Sequence, residues 1–214
     1  MLAVFACLSG VLAILVLEEI FYKNKILEGE YLRKFVHITA GSFIALWPWL
    51  IDWYHLQLIG LAMAAFIWLN HRIKRIHASG DVHRKTYGFY LFALTVAVTP
   101  FLTHNKIIFA LALLNMALAD GIAAVAGTAY GRKYEYTIFH HVKSVVGTMA
   151  FWLVSLGILG CGLLFLQASL DFGNYFVLIL ILPPLLAALE NVAVFGLDNI
   201  VVPVALVLTL RLIV

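Results

Sequence analysis

Eight runs of apolar residues, each close to the length that crosses a lipid bilayer, leave this chain little room for any other architecture. They fall near residues 1–20, 35–53, 54–71, 87–103, 106–130, 144–167, 174–194 and 198–214. A helix rises about 1.5 Å per residue, so roughly 20 apolar residues span the hydrocarbon layer. The backbone has no water to bond there, and long unbroken apolar runs satisfy it as helices. The last run is short, and Gly196 and Pro203 flank or break it. It is expected either as an eighth span or as a half-helix or re-entrant piece. The expected fold is therefore all-α: a polytopic integral membrane bundle of seven or eight transmembrane helices, forming one domain over residues 1–214. Composition excludes the soluble alternative. The chain is 64% hydrophobic and 12% charged, against about half and about a quarter in soluble domains. Cys7 and Cys161 lie within apolar runs and read as small core residues. The first run lacks a basic leader and is followed by Glu18 and Glu19, which predicts a retained helix with structural acids at its end.

The charges left over are sorted. Lys23, Lys25, Arg33 and Lys34, then Arg72, Lys74, Arg75, Arg84 and Lys85, then Arg132, Lys133 and Lys143 occupy alternate connections; Lys106 and Arg211 lie elsewhere. Basic loops stay on the cytoplasmic side, which puts these three connections there and, with eight spans, both termini outside. Trp47, Trp49, Trp53 and Tyr54 are then expected at the outer interface. The net charge of +3 is small and distributed by side, so the partner it implies is the bilayer and not a nucleic acid.

Within this apolar background a few polar residues stand out. Asp120 has no ionisable neighbour from Ile107 to Ala129, and a carboxylate in hydrocarbon is retained where it faces a polar cavity or a partner. Asn115, Ala119, Ala123, Gly127 and Gly131 recur every fourth residue, a ridge that also suits plain helix packing. Arg132, Lys133, Lys143, Ser144, Gly147 and Thr148 follow, and close backbone with lysines and hydroxyls suits phosphate oxygens. Arg33, Lys34 and His37 open the second run, where a snorkelling basic cluster is the structural alternative. Glu190 lies inside the seventh run, and Asp198 and Asn199 precede the last, where they offer either Mg²⁺ ligands or a helix N-cap. His71, His77 and His83, spaced six apart, and the adjacent His140 and His141 do not put two rings on one helix face and are assigned no metal.

Asp120-Gly121, Gly127-x-x-x-Gly131-Arg132-Lys133 and Lys143-Ser144-x-x-Gly147-Thr148 resemble the signature of the CTP-dependent lipid-alcohol kinases. That membrane family includes dolichol kinase, phytol kinase and CTP-dependent diacylglycerol kinases, and is distantly related to the CDP-diacylglycerol synthases. Arg33-Lys34-x-x-His37-x-x-x-Gly41 is similar to the element that opens these kinases, and Glu190 with Gly196-x-Asp198-Asn199 and Pro203 to the one that closes them. Arg84-Lys85-Thr86-Tyr87-Gly88 is a weaker match. The resemblance implies transfer of the CTP γ-phosphoryl group to the hydroxyl of a membrane lipid alcohol, with Mg²⁺ as cofactor. It makes Asp120 and Lys143 catalytic, and Asp120, Glu190, Asp198 and Asn199 the metal holders. Gly127, Gly131, Arg132, Lys133, Ser144, Gly147, Thr148, Arg33, Lys34 and His37 would bind nucleotide or phosphate. The chain's small size is similar to phytol- or short-polyprenol-type kinases, with diacylglycerol also open as substrate, and an oligomer is allowed. Val146 stands where the family usually carries Glu, which makes Glu135 or Glu190 the expected replacement acid. Two further readings are a cytidylyltransferase, which lacks support because His141-Val142 stand where those enzymes have Ser-Pro, and a transporter using Asp120 and Glu190 as an ion relay.

Overall fold

The computed structural model describes residues 1–73, 87–166 and 170–213. Arg84, Lys85 and Thr86, together with His77 and His83, lie outside the described residues. The described chain forms eight helical segments. These are α1 (Leu2–Lys23), α2 (Gly29–Ala45), α3 (Trp53–Ile73), α4 (Gly88–Leu102), a continuous helix made of α5 (Lys106–Leu114), a π-turn (Asn115–Ala119) and α6 (Asp120–Tyr130), then α7 (Val145–Leu163), α8 (Phe172–Val192) and α9 (Asp198–Ile213). The fold is the expected all-α bundle. Among the described residues four segments are long and apolar enough to cross a membrane: Leu2–Lys23, Lys106–Tyr130, Val145–Leu166 and Phe172–Val192.

Burial ranks these helices. In the Lys106–Tyr130 segment 72% of the apolar window is buried, against 28% in each of the two following spans and 11% in the first. The segment that carries Asp120 is thus the axis, and the others wrap it and turn Leu, Phe and Val outward, as a bundle in lipid must. Helices approach closely where side chains vanish. Gly41 of α2 lies against Ala117, and Gly121 against Ile38 of α2, so that α2 crosses the axis at short range. Gly60 of α3 fits against the backbone of Ala97 in α4, where an added Cβ would lie 2.8 Å from Cα.

Three sequence expectations change. The second run was expected over 35–53, yet α2 begins at Gly29 and ends at Ala45, so that Arg33 and Lys34 sit within the helix, with His37, and not before it. Trp49 and Tyr54 are exposed as an interfacial belt requires, but Trp47 is fully buried, edge-on to Phe43. The last run is a continuous helix despite Pro203. A proline leaves the carbonyl four residues back without its donor. That carbonyl is Asn199 O, and Thr95 Oγ1 of α4 donates to it at 2.6 Å, so a neighbouring helix repairs the gap.

One non-helical element was not expected. Strands β1 (Glu135–Ile138) and β2 (His141–Ser144) pair antiparallel, with Glu135 opposite Ser144 and Tyr136 opposite Lys143. The two turn residues, Phe139 and His140, take φ of 46° and 66°, as the primed turns of tight hairpins demand. Neither is a residue that announces such a turn, and the segment read as loop for that reason.

Thr95→Val keeps the shape of the side chain but leaves Asn199 O buried without a donor. The expected loss is about 1–3 kcal/mol, read as a lowered unfolding midpoint of the detergent-solubilised protein. An unchanged midpoint would mean that α9 does not need the α4 hydroxyl.

Candidate active site

The axial helix brings Asp120 to one end of the bundle, where α2, the hairpin, the start of α7 and the α8–α9 turn converge. Just before Asp120 the helix loosens into its π-turn, which frees carbonyls from the regular ladder. Asn115 Nδ2 donates to Leu111 O at 2.9 Å, and Ser155 Oγ of α7 donates to Asn115 Oδ1 at 2.6 Å. From the other side His37 Nε2 donates to Met116 O at 2.9 Å and lies 3.3 Å from Asp120 Oδ2. Lys34, one helical turn before His37, donates to the same oxygen at 2.6 Å, with only 5% of its side chain exposed. Arg33-Lys34-x-x-His37-x-x-x-Gly41 is therefore one contact surface. Gly41 allows the crossing, and Lys34 and His37 use it to reach Asp120.

A second buried pair faces the first. Lys143 of β2 donates to the Glu190 side chain and, at 3.1 Å, to Glu190 O. Burial opposes the charge on Lys143, but the Glu190 carboxylate outweighs it and holds the ammonium above the ordinary lysine range. The lysine's own share of the stabilisation is present below its ordinary alkaline pKa and fades as pH climbs through the raised value. Asp198, the first residue of α9, completes a group in which one carboxylate oxygen each from Asp120, Glu190 and Asp198 lie within 4.8 Å of one another. Among the described cations none forms an ion pair with Asp198. Neighbouring Asn199 donates through its backbone N to Asp198 Oδ1 at 2.9 Å and through Nδ2 to Gly196 O at 3.2 Å. Its Oδ1 is buried without a donor. Three convergent carboxylates and an unsatisfied amide oxygen form the set of hard oxygen donors that a small divalent cation takes.

The surrounding cavity has a volume of about 390 Å³. Arg33, Lys34, Arg132 and Lys143 line it with Glu30, Asp120, Glu135, Glu190 and Asp198, and Gly127, Ser144, Gly147, Thr148 and Asn199 complete the walls. Of the predicted residues, Lys133, Gly131 and His37 do not line it. Lys133 lies over the Tyr134 ring, Gly131 backs onto Ser144, and His37 stands behind Asp120. Arg33 reaches the wall with its Nε bonded to Glu30 at 3.0 Å. The glycines serve helix approach: a Cβ on Gly127 would lie 2.8 Å from Ser144 Oγ, and one on Gly147 3.5 Å from Gly127 Cα. Ser144 itself caps α7, accepting from Gly147 N at 3.1 Å. Val146 is not among the lining residues, so the acid missing there opens no gap in the wall.

Sequence reasoning passed over Tyr136 and Asn191. Tyr136 Oη donates to Asn191 Oδ1 at 2.7 Å, and Thr148 Oγ1 donates to the same oxygen at 3.1 Å, tying β1 and α7 to the turn of α8 that carries Glu190. Asn191 stands beside a buried acid, and that was the available signal.

Comparison with characterised proteins finds phytol kinase of Synechocystis sp., 30% identical over 199 residues that cover 89% of this chain and 82% of the relative. The chain belongs to the lipid-alcohol kinase family. No protein-family model matches it, and no solved structure does. For a lipid-alcohol kinase the arrangement is apt: a charged cavity enclosed by apolar helices, with Asp120 and Glu190 each paired to a fixed lysine.

Breaking one partner of a buried ion pair leaves a bare charge and costs about 3–5 kcal/mol. Lys34→Met should show that loss in thermal unfolding, and adding Asp120→Asn should recover much of it, as coupled neighbours do. Simply additive losses would show that the two side chains do not act as a pair.

Proposed function

We propose that the cavity transfers the γ-phosphoryl group of CTP to the hydroxyl of a membrane-dissolved isoprenoid alcohol of the phytol or polyprenol class. The observation that carries the reading is the opposition of Asp120, Glu190, Asp198 and the unsatisfied Asn199 Oδ1 to Lys143 and Arg132 in one cavity of a lipid-alcohol kinase. The lining holds five acidic and four basic side chains, so a triphosphate would meet no net attraction from the protein alone. A divalent cation reverses that balance. Asp120, Glu190, Asp198 and Asn199 would hold Mg²⁺, which supplies charge neutralisation for the phosphate oxygens when bound.

The chain's own residues then divide the work. Lys143, fixed by Glu190, and Arg132 at the rim orient and neutralise the phosphates, while the Ser144–Thr148 turn offers backbone N–H and hydroxyl groups. Lys34 donates to Asp120 and His37 stands 3.3 Å from the same oxygen, which fixes the carboxylate's orientation. The alcohol oxygen attacks the γ-phosphorus, CDP leaves, and the hydroxyl proton passes to a carboxylate of the cavity wall. The alternation of basic connections in the sequence supports a cytoplasmic location for this end of the bundle, where CTP is available.

The test is incubation of purified protein with γ-labelled CTP, Mg²⁺ and a panel of lipid alcohols plus phosphatidate. Label is expected in an alcohol phosphate; label in pyrophosphate would indicate cytidylyl transfer, and label in neither would remove the kinase reading. Asp120→Asn is expected to abolish turnover while the protein stays folded. Lys143→Ala should raise KM for CTP more than KM for the alcohol. Val146→Glu, outside the cavity wall, is expected to be tolerated; activity appearing only in that variant would mark the natural chain as inactive.

A further inference from the structure

Beside the polar cavity lies a second depression of opposite character. Tyr87, Tyr90 and Leu91, at i, i+3 and i+4 on one face of the start of α4, form one side, and Phe195 and Leu197 of the α8–α9 turn form the other. Among the described residues no charged side chain lines it. The two depressions share one residue, Phe195. Its backbone takes a left-handed φ of 60°, unusual for a bulky residue, and it is held there from three directions. Phe195 O accepts from Tyr87 N at 3.1 Å. Its ring packs edge-on to His141 of the hairpin, with centroids 4.5 Å apart. The following Gly196, at φ 89°, fits so tightly that a Cβ would lie 2.5 Å from Gly88 N. A strained, triply anchored residue at the boundary between two compartments is a candidate for function.

We propose that this groove binds the apolar chain of the lipid alcohol, with Phe195 as the divider past which the hydroxyl enters the cavity. The inference rests on the kinase reading and adds to it the path of the substrate. A single-headed amphiphile has to put its hydroxyl among charges and keep its chain away from them. In the cavity nine acidic and basic side chains would line the chain's path, whereas the groove offers uncharged aromatic and aliphatic surface that continues from the cavity wall through Phe195. Tyr87, Phe195 and Leu197 remain 61%, 50% and 43% exposed, so the chain has surface left to cover.

The test uses the full chain in liposomes and a long isoprenoid alcohol with a diazirine at the far end of its chain. After photolysis, adducts are expected on Leu91, Leu197 and their neighbours, and excess phytol should suppress them. The double substitution Leu91→Trp with Leu197→Trp should abolish that labelling and raise KM for the alcohol about tenfold, with KM for CTP unchanged. Adducts confined to outward residues such as Phe5 or Leu180, and not suppressed by phytol, would show annular lipid contact only and overturn the groove. A folded double variant with unchanged alcohol KM would overturn it equally. If the tryptophan pair does not fold, suppression by phytol in the natural chain decides. Labelling reads occupancy without turnover, so the two readings fail separately. Suppressible groove adducts on a protein that phosphorylates no alcohol sink the kinase reading alone, and turnover with adducts elsewhere sinks the groove alone.

Discussion

Charge in a bundle that faces lipid must be neutralised side chain by side chain, and that constraint organises this molecule. Asp120 meets Lys34, and Glu190 meets Lys143, each pair joining residues far apart in sequence. Neither lysine reaches its acid unless the backbones come close. The Gly41 and Gly121 contacts bring α2 to the axial helix, and the Gly127–Gly147 contact brings α7 to it. The hairpin exists at the one place where a lysine has to be carried back over the bundle end to the last turn of α8. Packing glycines and site residues are in this sense one set, because the former set the distance at which the latter act.

The two ends of the bundle differ accordingly. At the far end Trp53 packs against His104 and Phe109, and Arg211 donates to Leu102 O at 2.6 Å, tying the helix termini together. At the site end almost every side chain that could close the space is committed to a neighbour. Glu30 holds Arg33, Asn191 gathers Tyr136 and Thr148, and Asp198 and Asn199 hold each other. Asn199 Oδ1 is left without a donor, and its residue lines the same cavity as the three carboxylates.

Much of this was legible in the sequence because hydrocarbon permits few patterns. Apolar run length located the spans, and an isolated Asp120 or Glu190 in such a run demanded a partner. The partner itself was not legible: Lys34 and His37 read as phosphate ligands, since no rule of spacing says that position 34 lies against position 120. The hairpin escaped because Phe139 and His140 adopt its turn without the usual residues. Pro203 suggested a broken helix because its repair comes from Thr95, over a hundred residues earlier. Trp47 read as interfacial by residue type, which does not distinguish a ring at a helix end from one tucked beneath it.

The π-turn bears on the four-residue ridge noted in the sequence. On a regular α-helix, positions four apart advance by about 400°, so such a ridge creeps about 40° around the axis at each step. From Asn115 to Gly131 it would have wound nearly to the opposite side. Yet Asn115 meets Ser155, Gly127 meets Gly147 and Gly131 meets Ser144, all of them on α7 or its cap. A wider turn rotates less per residue and winds the ridge back. The loosened stretch before Asp120 thus works as a partial phase correction, taking up part of the creep so that one neighbour meets the axial helix both at Asn115 and at its charged end.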